Sequence, residues 1–459
     1  MDQHPRINSY DVVVLGGGPA GIAAAISAAR NGAYTLLVER YGFLGGMSTA
    51  ALVYPWMTFH SAAGEQVIQG IAQEIVERLQ ERGGSPGHLR DTIGFTYSLT
   101  PYHSEIYKVV AQEMLQESGA EVLLHTSAIE VKAERGAIQS VTLYNKSGIH
   151  HVEGKFYIDA TGDADIAHRA GAPWEQGNAQ QKVQPMTMKF RMKGVRLDLV
   201  KAYIKEHRDQ FYEKTLFDQL DDLPLTSVSG FYELWEQAKL SIPREGVLFF
   251  TGPGADEALI NVSRVTGLDP TDAADLTKAE LEGRRQVLEL EQFFKASIPG
   301  FEQASISGVG TQIGVRETRR IIGHYVLNGH DVLDARRFPD VIARSGYPID
   351  IHNPEGKGIT ANFIREGGAY DIPYRCLVPQ QVTNLLLAGR CISTTHEAQA
   401  TTRLTPSCMA IGQAAGTAAA LAVSYQCSNS EVPIEALQKR LVEQRAELGL
   451  RKEHASDEQ

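Results

Sequence analysis

The run Gly16-Gly17-Gly18-Pro19-Ala20-Gly21 carries a Gly-x-Gly-x-x-Gly spacing, and Glu39 stands at the end of the next apolar run. Each position has a task in holding a dinucleotide. Gly16 permits a tight turn, Gly18 lets the main chain approach a pyrophosphate, and Gly21 lets the following helix pack close, with its N-terminus facing the phosphate charge. Glu39 can accept hydrogen bonds from ribose hydroxyls, and a carboxylate there argues against a 2′-phosphate. The fingerprint recognises adenosine diphosphate, so by itself it does not separate NAD from FAD.

These residues need a strand before the glycines, a helix after them and a second strand ending at the acid. Asp11 to Leu15 is a branched apolar run of the kind covered on both faces, Pro19 to Arg30 is an alanine-rich helix stopped at Asn31-Gly32, and Thr35 to Val38 is the second strand. Together they make a βαβ unit. Gln66 to Arg82 and Glu105 to Ser118 read as amphipathic helices, the second leading into a strand at Glu121 to Leu124. Ile129 to Tyr144 alternates around Arg135-Gly136 as a hairpin, and Lys155 to Ala160 is another apolar strand. From about Gly177 to Ser305 the texture changes, with strands expected at Met186 to Lys193, Gly246 to Phe250 and Ala258 to Val265, and helices around Leu197 to Gln210 and Thr277 to Lys295. Val382 to Gly389 is again a buried strand, followed by a long helix from Thr405. The expectation is an α/β fold: a discontinuous Rossmann-like domain from residues 1–176 and 306–459, interrupted by an α+β substrate or cap domain at 177–305.

Three more segments bear on the ligand. Gly42-Phe43-Leu44-Gly45-Gly46-Met47 follows Glu39, Ala160-Thr161-Gly162-Asp163 closes one strand, and Leu386-Leu387-Ala388-Gly389-Arg390 closes another. Here the chain resembles the two-dinucleotide-binding-domain flavoproteins of the glutathione reductase type. With Val315 to Gly323 (VRETRRIIG), Tyr347 to His352 (YPIDIH), Ile372 to Pro379 (IPYRCLVP) and Gly412-Gln413-Ala414-Ala415-Gly416, it is similar to the FAD-dependent oxidoreductase family with a fumarate-reductase-like FAD domain, from about Tyr10 to Val423. The resemblance implies FAD and redox chemistry without naming a substrate. It implies cofactor contacts from Gly16, Gly18, Pro19, Ala20, Gly21, Glu39, Arg40, Gly45, Gly46, Met47, Gly162, Asp163, Gly389, Arg390 and Thr405.

Thr405-Pro406 reads as an N-cap followed by proline at the first helical position. In the resembled flavoproteins that helix points at the pyrimidine edge of the flavin, where Arg403 would add a formal charge to the helix dipole; a solvated arginine is the plainer alternative. In YPIDIH, strand alternation puts Tyr347, Ile349 and Ile351 on one face and Pro348, Asp350 and His352 on the other. Asp350 can therefore orient His352 for proton transfer, or the two can share a structural hydrogen bond. Arg316, Arg319 and Arg320 are expected on a helix, where Arg316 shares a face with either of the others and is a candidate substrate ligand or an ion-pair partner of Glu317. His396, close behind the Arg390 segment, is a candidate to approach the flavin ring or a buried histidine bonded to backbone.

The charge balance is 44 lysines and arginines against 55 acids, 44 − 55 = −11, with no long basic run, so nucleic acid is not an expected partner. Cys376, Cys391, Cys408 and Cys427 contain no CxxC pair, which sets aside a disulfide scaffold, a zinc site and the dithiol chemistry of some flavoproteins of this fold. Gly308-x-Gly310-x-x-x-Gly314 has the wrong spacing for a second nucleotide loop, so no NAD(P)H domain is expected. The N-terminus lacks a signal-peptide pattern and Met409 to Val423 is too short and interrupted for a membrane span, so a cytoplasmic location is expected. The reading is an oxidoreductase moving a hydride between a small polar organic substrate and flavin N5, with oxygen, a quinone or a carrier protein as unidentified acceptor; assembly into a homo-oligomer is compatible with it. A flavoprotein modifying enzyme or isomerase without net oxidation, and a non-catalytic nucleotide-binding protein, are the alternatives.

Overall fold

The structure is a computed structural model that describes residues 9–450; the sequence from about Leu450 to Gln459 reads as a charged chain end, and all of it past Leu450 lies outside the described residues. The strands used below are β1 (Ser9–Leu15), β2 (Thr35–Val38), β3 (Glu121–Leu123), β4 (Ser127–Glu134), β5 (Ala137–Asn145), β6 (Gly148–Asp159), β7 (Trp174–Gln176), β8 (Phe190–Lys193), β9 (Ser227–Gly230), β10 (Val247–Thr251), β11 (Glu257–Ile260), β12 (Ser305–Val309), β13 (Arg319–Ile321), β14 (Ile349–His352) and β15 (Leu385–Leu387). The helices are α1 (Pro19–Arg30), α2 (Ile71–Glu81), α3 (Ser104–Ser118), α4 (Asp165–Arg169), α5 (Ala273–Ser297), α6 (His396–Thr402) and α7 (Thr405–Tyr425).

A parallel sheet in the order β3-β2-β1-β6-β15 forms the centre. Val12, Val13, Val14 and Leu15 are buried on both faces, as their unbroken apolar run requires. β6 serves two sheets: residues from Glu153 onward pair in parallel with β1, whereas its first half continues antiparallel into β5 and β4. The expected hairpin is thus grafted onto the strand that ends at Asp159. Helix α7 lies against α1 because two of its residues have no side chain. A Cβ on Gly412 would sit 2.0 Å from the Ala20 carbonyl oxygen, and one on Gly416 2.1 Å from that of Ala24. α7 is the one helix among the described residues long and apolar enough to cross a membrane, and 78% of its apolar window is buried inside the fold.

A second hydrophobic core, drawn from residues between Met186 and Val315, sits under an antiparallel sheet of order β9-β10-β11-β8-β12. Alternation decides which way each side chain goes. Met188, Phe190 and Met192 join Phe249, Ile260 and the α5 residues Val287, Leu290 and Phe294 in that core. The opposite face looks back at the parallel sheet: Phe250 and Leu259 belong to the first core, Thr187 binds Arg316, and Arg191 donates to Ser104 Oγ at 3.0 Å. Lys189 lies between them on that face.

Several elements differ from expectation. The helix expected over Gln66 to Arg82 begins at Ile71, because Gly70 holds φ +63° and turns the chain just before it. The α5 helix starts at Ala273 rather than Thr277, since Asp272 caps it by accepting from Asp275 N. Thr405 is the first helical residue of α7 and Leu404 precedes it as the N-cap, so Thr405 does not cap the helix. The Arg316 to Arg320 helix is absent: the chain is extended, bridging Gly314 to Thr187 and pairing β13 with β7.

Candidate active site

The glycine run, the end of β2, the end of β6 and the Gly389 turn converge on one cavity of about 390 Å³. Gly16 has φ +109°, and a Cβ there would lie 2.4 Å from the Ala160 carbonyl oxygen. Gly21 is pressed against the same turn, its hypothetical Cβ 1.8 Å from the Gly16 carbonyl oxygen. Across the cleft, a Cβ on Gly46 would lie 2.7 Å from Gly18 Cα, so two bare main chains face each other where a phosphate path is needed. Glu39, 6% exposed, accepts from Gly17 N at 2.6 Å and Tyr41 N at 2.9 Å. Burial raises its carboxyl pKa in spite of these donors.

The other wall is held by carboxylates. Buried Asp159 receives Thr161 N and Oγ1 on one oxygen and Ile166 N and Ala167 N, each at 2.9 Å, on the other, so it shapes the Thr161-Gly162-Asp163 turn and caps α4. Arg390 is anchored by Asp163 at 2.9 Å and by the Val315 carbonyl. Arg403 and Thr405 close the cavity at the start of α7, beside Met47 and Cys408. Burial pushes the Cys408 thiol up to about 12, so it stays protonated at neutral pH. Ten of the positions expected to touch the cofactor line the cavity, Gly16, Gly18, Pro19, Ala20, Glu39, Arg40, Gly46, Met47, Gly162 and Gly389, with Arg390 and Thr405 on its other wall. Gly21, Gly45 and Asp163 do not line it: Gly21 packs on the turn, Gly45 N donates to Gly17 O, and Asp163 is spent on Arg390 and Thr318. The Thr126 to Ile129 segment lines the Glu39 end, a position that carried no signal in the sequence.

Beyond Arg403 the site becomes a buried polar cluster. Tyr347 donates to Asp350 Oδ2 at 3.0 Å, and Arg403 and His352 lie 3.7 Å from that oxygen. Tyr347 precedes β14, so strand alternation does not keep it from Asp350 as expected. Arg264 Nη2 donates to His352 Nδ1 at 3.0 Å, which puts the imidazole proton on Nε2. Burial and the neighbouring Arg316 hold His352 well below its ordinary pKa, so it is neutral. Burial works against Asp350, yet the Nε2–H end of His352, the Arg403 charge and the Tyr347 hydroxyl outweigh it and keep the carboxylate ionised. The Tyr347 phenol is pushed well above its usual range by burial and Asp350.

Arg316 reaches this cluster from an extended segment, donating to Pro185 O at 2.6 Å and Thr187 Oγ1 at 2.7 Å. Arg319 and Arg320 go elsewhere, to Asp165 and to Glu317 with the Gly177 and Thr394 carbonyls, because an extended chain sends neighbouring side chains to opposite sides. Lys189 was not singled out by the sequence. It is 8% exposed, takes part in no side-chain hydrogen bond or ion pair among the described residues, and is lowered to about 7 by burial, Arg316 and Arg403. Its signal was the alternation Met188-Lys189-Phe190, a cation between core residues of one strand.

His396 is not at this cavity. Its Nδ1 donates to Glu317 Oε1 at 2.8 Å, and its ring faces a separate cavity of about 1040 Å³ lined by Trp174, Gln176, Lys182, Asp269 and Glu355. The seven residues of α6, about 10 Å of helix, separate it from Arg403.

A family model described as FAD dependent oxidoreductase matches residues 11–441. Thiamine thiazole synthase of Methanococcus aeolicus is 30% identical over 168 residues, 34% of this chain and 57% of that protein. Dihydrolipoyl dehydrogenase of Trypanosoma brucei brucei is 34% identical over 117 residues, 23% of this chain and 24% of that protein. Digeranylgeranylglycerophospholipid reductase 2 of Methanopyrus kandleri is 31% identical over 163 residues, 35% and 40% of the two chains. The chain thus spans between about a quarter and three-fifths of the length of these curated relatives. Among solved structures, a geranylgeranyl bacteriochlorophyll reductase-like protein from Thermoplasma acidophilum aligns with 96% of this chain and 84% of its own, at 15% identity and a TM-score of 0.48. With the family model spanning nearly all of the described residues, the chain belongs to the FAD dependent oxidoreductase family and is an FAD-dependent enzyme.

Proposed function

We propose that the protein transfers a hydride between a small polar organic substrate and flavin N5, passing the electrons to an acceptor from outside the chain. The observation that carries this reading is the junction at Arg403 and Thr405, where the glycine-lined cavity meets the buried cluster of Asp350, His352, Arg316 and Lys189. The cavity suits FAD: two glycine main chains face across it, Glu39 awaits ribose hydroxyls, and Arg403 Nε is buried with no partner among the described residues. When bound, FAD supplies a two-electron acceptor, and all positioning and proton handling fall to the chain.

Gly16, Gly18, Pro19 and Gly46 hold the pyrophosphate path, with the N-terminus of α1 behind it. Glu39 and the Thr126 to Ile129 segment take the adenosine end. Arg403 and the N-terminus of α7 place positive charge where reduction brings negative charge. His352 orients rather than abstracts, since its Nδ1 already accepts from Arg264 and its Nε2 carries the proton. Lys189 accepts the substrate proton in the oxidative direction: an amine with no partner among the described residues and a pKa near neutrality is matched to that task. Arg316 holds the substrate beside it.

The test is a visible spectrum of the purified protein, mass analysis of what acid releases, and anaerobic addition of pooled polar metabolites. Released FAD and bleaching by one pool are expected. A colourless protein that fails to take up FAD would overturn the reading, and FAD that no pool or artificial acceptor engages would return the non-oxidative alternatives to the front.

A further inference from the structure

The buried cluster has more positive charge than its own residues neutralise. Arg244, Arg264, Arg316 and Arg403 surround one buried carboxylate, Asp350; Glu245, the next acid, is exposed. Burial and Arg264 lower Arg244 to about 9, and burial with Arg403, Arg264 and Arg244 lowers Arg316 well below its usual range. A protein interior tolerates such cations when they are paired and hydrogen-bonded. Arg264 meets that condition in part, through the Gly356 and Gly358 carbonyls and His352. Arg244 does not. It is 8% exposed, and its guanidinium makes no hydrogen bond or ion pair among the described residues. Its nitrogens, like Lys189 Nζ, are not among the fully sealed atoms that lack a partner, so both end groups keep some accessible surface. Arg316, bound to Thr187 Oγ1 at 2.7 Å, lies on the strand face that carries Lys189 two residues on, and the charge of Arg244 acts on it.

We infer that the substrate of this site is an organic anion whose charged group is seated by Arg244 and Arg316, with its reacting end turned toward Lys189 and Arg403. The inference rests on the functional reading above and narrows its substrate class. A planar carboxylate and a tetrahedral phosphate share the chemistry that two guanidinium forks recognise, and each would discharge the surplus. A neutral alcohol or amine of equal size would leave Arg244 uncompensated.

The test is titration calorimetry of the purified protein, its FAD content measured beforehand, with malonate, malonamide and inorganic phosphate at pH 7.5. Malonate or phosphate is expected to bind one to one, and malonamide to give no saturable heat. Arg244→Met and Arg316→Met are each expected to weaken anion binding by about tenfold or more, and Arg244→Lys to recover part of the loss. Arg208→Met, an exposed change, should leave it unaltered. The stronger of the two anions assigns carboxylate or phosphate. Absence of saturable anion binding to correctly folded protein, or binding that the two arginine variants leave intact, overturns the inference. FAD-loaded protein that binds no anion would sink this inference alone, whereas protein unable to hold FAD that still binds malonate through Arg244 would sink the flavin reading alone.

Discussion

The nucleotide cavity and the buried cationic cluster meet at Arg403 and are built on opposite principles. The first is made of main chain: glycines at Gly16, Gly18 and Gly46, two helix N-termini and one acid, mostly contributed by a single βαβ unit. The second is made of side chains brought from six separate segments, at Lys189, Arg244, Arg264, Arg316, Asp350 and Arg403. A main-chain cradle recognises what many relatives share, a pyrophosphate and a ribose. A cluster of side chains can change one residue at a time, so it is where substrate choice is set.

The largest expected effects come from filling the cradle. Gly21→Val puts a Cβ at 1.8 Å from the Gly16 carbonyl oxygen, which forces α1 off the turn. Gly18→Glu meets nothing closer than Gly46 Cα at 3.8 Å, so the fold can accept it, but a carboxylate in the phosphate path costs roughly 4 kcal/mol for one like-charge pair 4 Å apart at an effective dielectric of about 20. Both proteins should purify without flavin, read as the ratio of visible to ultraviolet absorbance. Full cofactor retention in either would misplace the phosphate site.

On the cluster side, Lys189→Met should lower the rate constant of the reductive half-reaction about a hundredfold or more, followed by stopped-flow bleaching once a substrate is in hand. Its effect on stability has the opposite sign. An unfolded lysine titrates near 10.4, and the folded amine is lowered to about 7. Between those values the unfolded chain binds the extra proton, so stability rises with pH across that window and is flat below it. Replacing the amine with a thioether removes both the penalty and the pH dependence. Melting of Lys189→Met should therefore be higher than the parent's at pH 7 and level through pH 10; a lower melting temperature with unchanged rate would take Lys189 out of the mechanism.

The two regions also differ in how far they could be read from sequence. The cradle follows from local order: a two-sided apolar strand, glycines at fixed spacing, an alanine helix and an acid, each interpretable within a short window. Asp350 and His352 were legible as neighbours because strand alternation is local too. Lys189, Arg244 and Arg264 were not, since each gains meaning only from chain far away. The extended Arg316 segment shows the same limit. Its spacing fits a helix face, but Gly314 pairs with Thr187 and β13 with β7, and long-range pairing overrides a local pattern. His396 was assigned by closeness in sequence to Arg390, and the turn and helix between them carry it to the other cavity.

The junction itself can be sharpened by Arg403→Ala. Its guanidinium lies 3.7 Å from Asp350 and lines the nucleotide cavity, so it serves both regions at once. Removing it should lower the flavin midpoint potential by roughly 30 mV, equivalent to about 1.4 kcal/mol for a two-electron couple. An unchanged potential would leave Arg403 to the substrate cluster alone.

The smallest effect is expected at His396, and it marks where the site ends. Gln at that position can still donate to Glu317, which also keeps Arg320 and the main-chain N–H of Gln184, so the buried carboxylate is not orphaned. His396→Gln should leave kcat/KM within about twofold of the parent, well inside the span that loss of a proton-transfer group produces. Glu317, whose other oxygen accepts from Gln184 N, separates the cluster from the larger cavity, and Gln184 in turn accepts from His352 N through its side chain. A hundredfold loss in His396→Gln would mean that protons cross this wall through Gln184, and that the 1040 Å³ cavity belongs to the reaction rather than standing behind it.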